Sequence, residues 1–370
     1  MKILYIAHFS ENSNWSVSAI HKVLALVNNG FEVVCRNARL NDVSQAELPP
    51  QIQDCLKKDL NNIDVCIQHV LPTMIVGSKK FKKNIACVHL DTEITQDHCW
   101  IHNLSTVDEV WVNNRDSLSN LLDLNINAKY IPNCFHIDTY KNQYKILDFG
   151  DMNNKFKFYT VSSVGEKNNL NSMIRSYFST FDISDNVCFV FNIYDYSSND
   201  DSLKNYFSDY IKKNKEVMRI NSNDAYFPPV FLITRPLNPM ELQSLHTTCD
   251  CYVELSKSVD FSTPAFEAMC YGKTPVCSNN GSYKDYISED KNSGTLINGV
   301  KNICFDHSPP SPHLFTGKEL WFSSDEKESK QAMAWYYENS KSIDRNVGIQ
   351  NAQNFDYKVV AEKMKESFNE

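Results

Sequence analysis

Several residues of this chain have the types and spacing to hold a polar ligand and act on it. Glu267 lies in a short helix expected to open at Thr263-Pro264 and to stop at Gly272. Thr at the N-cap, Pro at the first helical position and Gly after the last turn are matched start and stop signals. With Thr263 as N-cap, Glu267 falls one residue past the capping-box position and has no local amide to satisfy. It stands beside the positive end of a helix whose free N–H groups can receive an anion. Lys257, Asp260 and Ser262 occupy the loop before that helix. Arg235 ends an apolar strand, Val230–Thr234, at the edge where α/β folds bind ligands, and its planar guanidinium can hold two phosphate oxygens at once. Lys167 follows another strand, and His89 follows the strand Asn84–Val88 within His-Leu-Asp-Thr-Glu. Read alone, each is ordinary: a solvated lysine, an arginine paired with a nearby acid, a strand-end histidine bonded into its surroundings. Asp91 and Glu93 form an Asp-x-Glu, but two acids in one loop do not make a metal site, and no metal ligands are assigned.

The elements that must position these residues alternate between apolar strand and amphipathic helix. In the first half, strands are expected at Ile3–Ala7, Phe31–Cys35, Asp64–His69, Asn84–Val88, Glu109–Val112 and Lys129–Ile131, with helices at Ser16–Asn29 and Ser117–Leu124. After a polar connector near Thr139–Asn154 a second series begins. Its strands are Phe156–Ser162, Val187–Tyr194, Val230–Thr234, Cys251–Leu255, Thr274–Ser278 and Thr295–Val300. Helices are expected near 168–181 and 203–215, and from Asn238-Pro239 to His246. The Pro-rich loop Ser308–Pro312 leads to helical stretches at 324–346 and 354–368. Two β/α series imply two Rossmann-like, doubly wound parallel sheets with ligands at the carboxyl ends of the strands. The expected domains are 1–150, 151–335 and a C-terminal helical segment, 336–370, packing back on the first.

Composition narrows the function classes. With 370 residues, 42% hydrophobic and 12% aromatic, the chain can build two cores. A formal charge of −8 argues against a general nucleic-acid binder. No apolar run is long enough to span a membrane, and the start MKILYIAHFSEN reads as a buried strand and not as a secretory signal. The twelve cysteines include no Cys-x-x-Cys and sit mostly in apolar strands, which suits structural thiols in a reducing cytoplasm. Between Phe9 and Ser16 there is no glycine, so a Gly-x-Gly-x-x-Gly dinucleotide loop is missing.

The segment Asp250–Ile287 resembles the donor-nucleotide motif of glycosyltransferase family 4 and its GT-B relatives. The resemblance is carried by Phe261, Pro264, Glu267-Ala268-Met269, Gly272, Pro275-Val276 and Asn279, in order and spacing. Two further passages are similar: TVDEVWVNNRDSLSNLL with AKYIPNCFHID at the end of the first half, and VSSVGEKNNLNSMIRSYFSTF at the start of the second. The resemblance implies a GT-B enzyme with its active site between two Rossmann-like domains. The implied activity is a retaining, metal-independent hexosyl transfer from a nucleotide sugar, the only cofactor-like ligand, to a glycan, lipid-linked sugar or other hydroxyl acceptor. It further implies that Glu267 holds the ribose and that His89 approaches the donor sugar. The diphosphate is expected at Lys167 and Arg235, with Lys257, Ser262, Thr263 and the first helical amides beside it. The chain departs from the family at Val259, where the first Glu of a Glu-x7-Glu pair would stand, at Ser163 and Asn168 in place of an Arg and a Lys, and at Asp260 and Ser262 in place of glycines. Either Asp260 takes over the missing carboxylate's sugar contacts, the favoured expectation, or the donor lacks the usual hydroxyl pattern. These departures also suit a non-catalytic nucleotide- or glycan-binding partner subunit, and a hydrolysing epimerase is the other enzyme reading.

Overall fold

The computed structural model describes residues 1–11, 13–39, 47–142, 144–195, 199–220, 223–304 and 317–369. The Pro-rich Ser308–Pro312 passage lies outside the described residues.

The first sheet contains β1 (Lys2–Ala7), β2 (Glu32–Asn37), β3 (Val65–His69), β4 (Lys83–Val88), β5 (Glu109–Val112) and β6 (Ala128–Tyr130). These strands are parallel, in the order β2-β1-β3-β4-β5-β6. Its helices are α1 (Asn14–Asn28), α2 (Pro50–Lys57), α3 (Trp100–Leu104) and α4 (Arg115–Asp123). The second sheet contains β7 (Phe156–Ser163), β8 (Val187–Tyr194), β9 (Val230–Ile233), β10 (Cys251–Glu254), β11 (Val276–Ser278) and β12 (Thr295–Ile297), in the order β12-β11-β10-β7-β8-β9. Its helices are α5 (Leu170–Thr180), α6 (Asp200–Met218), α7 (Pro239–Thr248), α8 (Thr263–Cys270) and α9 (Tyr283–Tyr286). Strand order reverses between β1 and β3 in one sheet and between β7 and β10 in the other. Such switch points open a crevice beyond the carboxyl ends of the strands. The two crevices face each other across one cleft, whose lining draws on both sheets.

The strand Thr295–Val300 expected from the sequence is two elements. β12 ends at Ile297, and β13 (Gly299–Ile303) turns away to pair antiparallel with β14 (Leu320–Ser324). The helix expected over 324–346 ends early, as α10 (Glu326–Asn339), and a separate α11 (Asn346–Ala352) follows it; Asp325 caps α10 through bonds from Lys327 N and Glu328 N. A boundary at 336 would cut α10, which packs on the second sheet through Met333 and Tyr336. The return to the first sheet is made by α12 (Tyr357–Asn369). Its Tyr357, Val360, Ala361 and Met364 share a core with Ala19, Val23 and Leu26 of α1. Backbone bonds between Phe135 and the Phe355–Tyr357 passage lock that return.

Alternation along β10 decides what enters the cleft. Cys251 and Val253 face the core under α5, whereas Tyr252 faces α7 and α8. Residue 254 must share the Tyr252 face, so the strand's last side chain emerges beside the start of α8. The cysteines are free thiols, most of them buried.

Candidate active site

The cleft holds a cavity of about 320 Å³ walled by the ends of β7 and β10, the turn after β7, the 255–262 loop, the first residues of α8, and Trp15, His89 and Asp91 of the first domain. The loop is pinned from several sides. Phe261 packs among Phe135, Phe266, Tyr286 and Phe355. Gly281, at φ +53°, presses on the Val259 carbonyl so closely that a Cβ there would lie 2.1 Å from it. The N-cap of α8 is Ser262, not Thr263: its Oγ accepts from Ala265 N at 3.3 Å, which puts Pro264 at the second helical position.

Asp260 is 3% exposed and turned wholly toward the first domain. Its Oδ2 accepts from Asn113 Nδ2 at 2.7 Å and lies 2.8 Å from His89 Nδ1. Its Oδ1 accepts from Asn114 Nδ2 (3.2 Å) and Leu90 N (3.3 Å). His89 Nε2 meets His69 Nε2 at 2.8 Å, and His69 Nδ1 meets the Tyr5 hydroxyl at 2.9 Å. With both rings neutral and Asp260 ionised, the run has one self-consistent proton order: Tyr5 donates to His69, His69 to His89, and His89 to Asp260. Burial, and then the neighbouring His89, push the His69 pKa well below the ordinary imidazole value. The Asp260 charge is answered through Asn113, whose Oδ1 accepts from the fully buried Lys22 ammonium at 2.8 Å. Trp15 stacks on His89 with centroids 4.5 Å apart. Asp260 and His89 therefore come together, and each spends its polar atoms on the other and on the first domain.

The expected cations are dispersed. Lys167 lines the cleft and pairs with Asp91 at 2.6 Å. Burial opposes the lysine's charge, yet Asp91 outweighs it and the pKa rises. Lys257 pairs with Glu166, lies over the Trp321 ring and faces a second, smaller cavity beyond Asp91 and Val259. Arg235 does not reach the cleft: it ends next to an edge strand and forks onto Glu241 at 2.7 and 2.9 Å. Ser163 and Asn168, expected from the sequence to stand in place of an Arg and a Lys, close on one another through Asn168 Nδ2 at 3.0 Å from Ser163 Oγ. Thr263 begins α8 and is not among the cleft-lining residues. Glu267 lies one turn below Pro264, 14% exposed, its Oε1 accepting from Tyr140 at 3.1 Å. Its Oε2 faces His246 Nε2 at 3.6 Å, and neither atom has a hydrogen-bond partner. Among the described residues no three metal-ligating side chains cluster, and no helix is long and apolar enough to cross a membrane.

Glu254 enters the cleft without having been singled out by sequence reasoning. Its Oε2 accepts from Tyr252 (2.9 Å) and Ser262 (2.5 Å), and its Oε1 from Ser256 (3.1 Å). The available signal was an acid closing an otherwise apolar strand at a switch point. His69, Asn113 and Lys22 carried no comparable signal, because their partners lie 20 to 147 residues away.

Two doubly wound sheets joined across such a cleft are shared with known structures. Residues 230–303, the stretch from β9 to β13, match the family model described as Glycosyl transferases group 1. The Anabaena HepE protein, determined with UDP-glucose, superposes with a TM-score of 0.61 at 13% identity over 100% of this chain and 99% of its own. The fold is GT-B. Sucrose-phosphate synthase from Thermosynechococcus elongatus gives a TM-score of 0.63 at 12% identity over 100% and 98% of the two chains. A glycosyltransferase from Rickettsia africae gives 0.60 at 11% over 99% and 97%. No curated protein matches the chain in sequence. The GT-B likeness covers both domains, whereas the family match is confined to the segment that carries Glu254, Asp260 and Glu267.

Proposed function

We propose that this GT-B protein is a glycosyltransferase that binds a nucleotide sugar in the cleft and passes its sugar, with retention of configuration, to a hydroxyl acceptor. The observation that carries the reading is the cavity at the β7/β10 switch point, walled by a segment that matches the glycosyl transferase model. HepE, with the same fold, binds UDP-glucose, so uridine nucleotides are the first donors to try.

In this reading Lys167 exchanges Asp91 for the diphosphate and offsets the charge that develops on the leaving group, an electrostatic contribution independent of a divalent ion. Glu267 shares a helical face with the cleft-lining Pro264, three residues before it. Its Oε2 is buried against His246, so the ribose hydroxyl is received at Oε1 in place of the Tyr140 hydroxyl. A bond to a charged acceptor contributes about 1.5–3 kcal/mol, so Glu267→Ala should weaken UDP-glucose binding roughly ten- to a hundredfold in a folded protein. Unchanged affinity would remove Glu267 from the site. Loss of activity on EDTA treatment, with recovery on adding Mg²⁺ or Mn²⁺, would overturn the metal-independent arrangement.

The self-satisfied Ser163–Asn168 pair favours a second reading, a non-catalytic protein that binds a nucleotide or glycan. Donor hydrolysis measured with and without acceptors separates the two: turnover supports the transferase, saturable binding without turnover the second reading.

A further inference from the structure

Within the proposed nucleotide-sugar cleft, and resting on that reading, we infer that Glu254 and Ser256 form the receptor for a vicinal diol of the transferred sugar. The family-like position for such a carboxylate is Val259, which has no acceptor to offer. Asp260, the neighbouring acid, has four donors on its two oxygens, supplied by His89, Asn113, Asn114 and Leu90 N. Glu254 has a different environment. It lines the cavity and is half-buried, and its three donors are hydroxyls of its own domain.

The lone-pair count defines what it can take. An ionised carboxylate offers about four acceptor sites. Tyr252 and Ser262 fill those of Oε2, and Ser256 fills one of Oε1. One site on Oε1 remains, and the Ser256 hydroxyl, having given its proton to Glu254, retains acceptor capacity on Oγ. The two open acceptors are 3.1 Å apart, a spacing suited to neighbouring hydroxyls on a sugar ring. Both are acceptors and one carries negative charge, so the receptor selects hydroxyl donors and repels phosphate. The neutral Ser163–Asn168 pair nearby supplies no countercharge. The diphosphate is thereby directed to Lys167, which lines the same cavity within electrostatic reach of Glu254, and the sugar hydroxyls to the carboxylate itself.

The test is calorimetric titration of wild type, Glu254→Gln and Ser256→Ala with UDP-glucose and with UDP. Melting curves establish that each variant is folded. Replacing a charged acceptor by an amide should weaken UDP-glucose binding roughly tenfold or more and leave UDP binding within about twofold. Ser256→Ala should reproduce the pattern at smaller size, and it carries the test if Glu254→Gln does not fold. Equal weakening for UDP would put the ribose diol at Glu254 and overturn the sugar assignment. Unchanged binding of both probes would remove Glu254 as a receptor while leaving the cleft's proposed function intact. Failure of wild type to bind either probe would instead sink the nucleotide-sugar reading itself.

Discussion

The first-domain wall of the cleft presents histidines bonded into a run that ends on Asp260, whereas the second-domain wall presents Glu254 and hydroxyls bonded within their own domain. Asp260 belongs by chain to the second wall, yet its carboxylate is captured by the first. Glu254, six residues earlier, keeps its partners at home. A carboxylate with donors from two domains joins them; one with donors from a single domain can still bind a ligand. Removing one member of a buried charged network costs about 3–5 kcal/mol because the partners are left unpaired. Asp260→Ala should therefore lower stability in urea by about that amount, and Asp260→Asn by less. Glu254→Ala should cost less than either. An Asp260→Ala protein as stable as wild type would erase the distinction between the two acids.

The walls also differ in how they answer pH. On the first side, burial lowers the pKa of His69 well below its ordinary value and that of His21 to about 4. On the second, burial raises Asp285 to about 7. Between about pH 5 and 6.5 an unfolded chain binds protons at both histidines that the folded chain refuses, while folded Asp285 holds a proton that the unfolded chain releases. Two minus one leaves the unfolded state one proton ahead, so stability should fall by about 1.4 kcal/mol per unit as pH drops through this window. Asp285→Asn removes the opposing group and should roughly double the slope. A flat profile for both proteins would show that the two histidines are not held neutral by the fold.

Much of the architecture was legible because strand and helix periods are local. Both parallel sheets, the capped start of α7 at Asn238-Pro239 and the Gly272 stop of α8 follow from neighbours within a few residues. The hairpin of β13 and β14 was not, since its strands are separated by a passage rich in proline and its pairing is a matter of contact across that gap. The site divides in the same way. The segment from Glu254 to Glu267 could be marked out from its own residues, but which acid faces the ligand depends on donors supplied elsewhere. Asn113 and His89, from the first domain, decide that Asp260 is occupied. Arg235 looked suitable by type and strand position, and was withdrawn by Glu241 six residues on, whose pKa falls to about 2 mainly through its bond to that arginine.

The smallest effect concerns the seam between the walls. Lys167, Lys284, Lys301 and Lys318 of the second domain pair with Asp91, Asp116, Glu93 and Asp97 of the first. The acids are all on one side and the lysines all on the other, with Arg115 and Asp285 as a reversed, longer pair at 3.8 Å. Exposed pairs contribute about 0–1 kcal/mol each and are screened by salt. Lys284→Glu should thus lower stability by less than about 1 kcal/mol, and adding Asp116→Lys should recover most of the loss by restoring opposite charges across the seam. The recovery should shrink between 0.05 and 0.5 M salt, on the scale of a Debye length falling from roughly 14 to 4 Å. A double variant no better than Lys284→Glu at low salt would mean that the Lys284–Asp116 pair contributes no charge attraction across the seam.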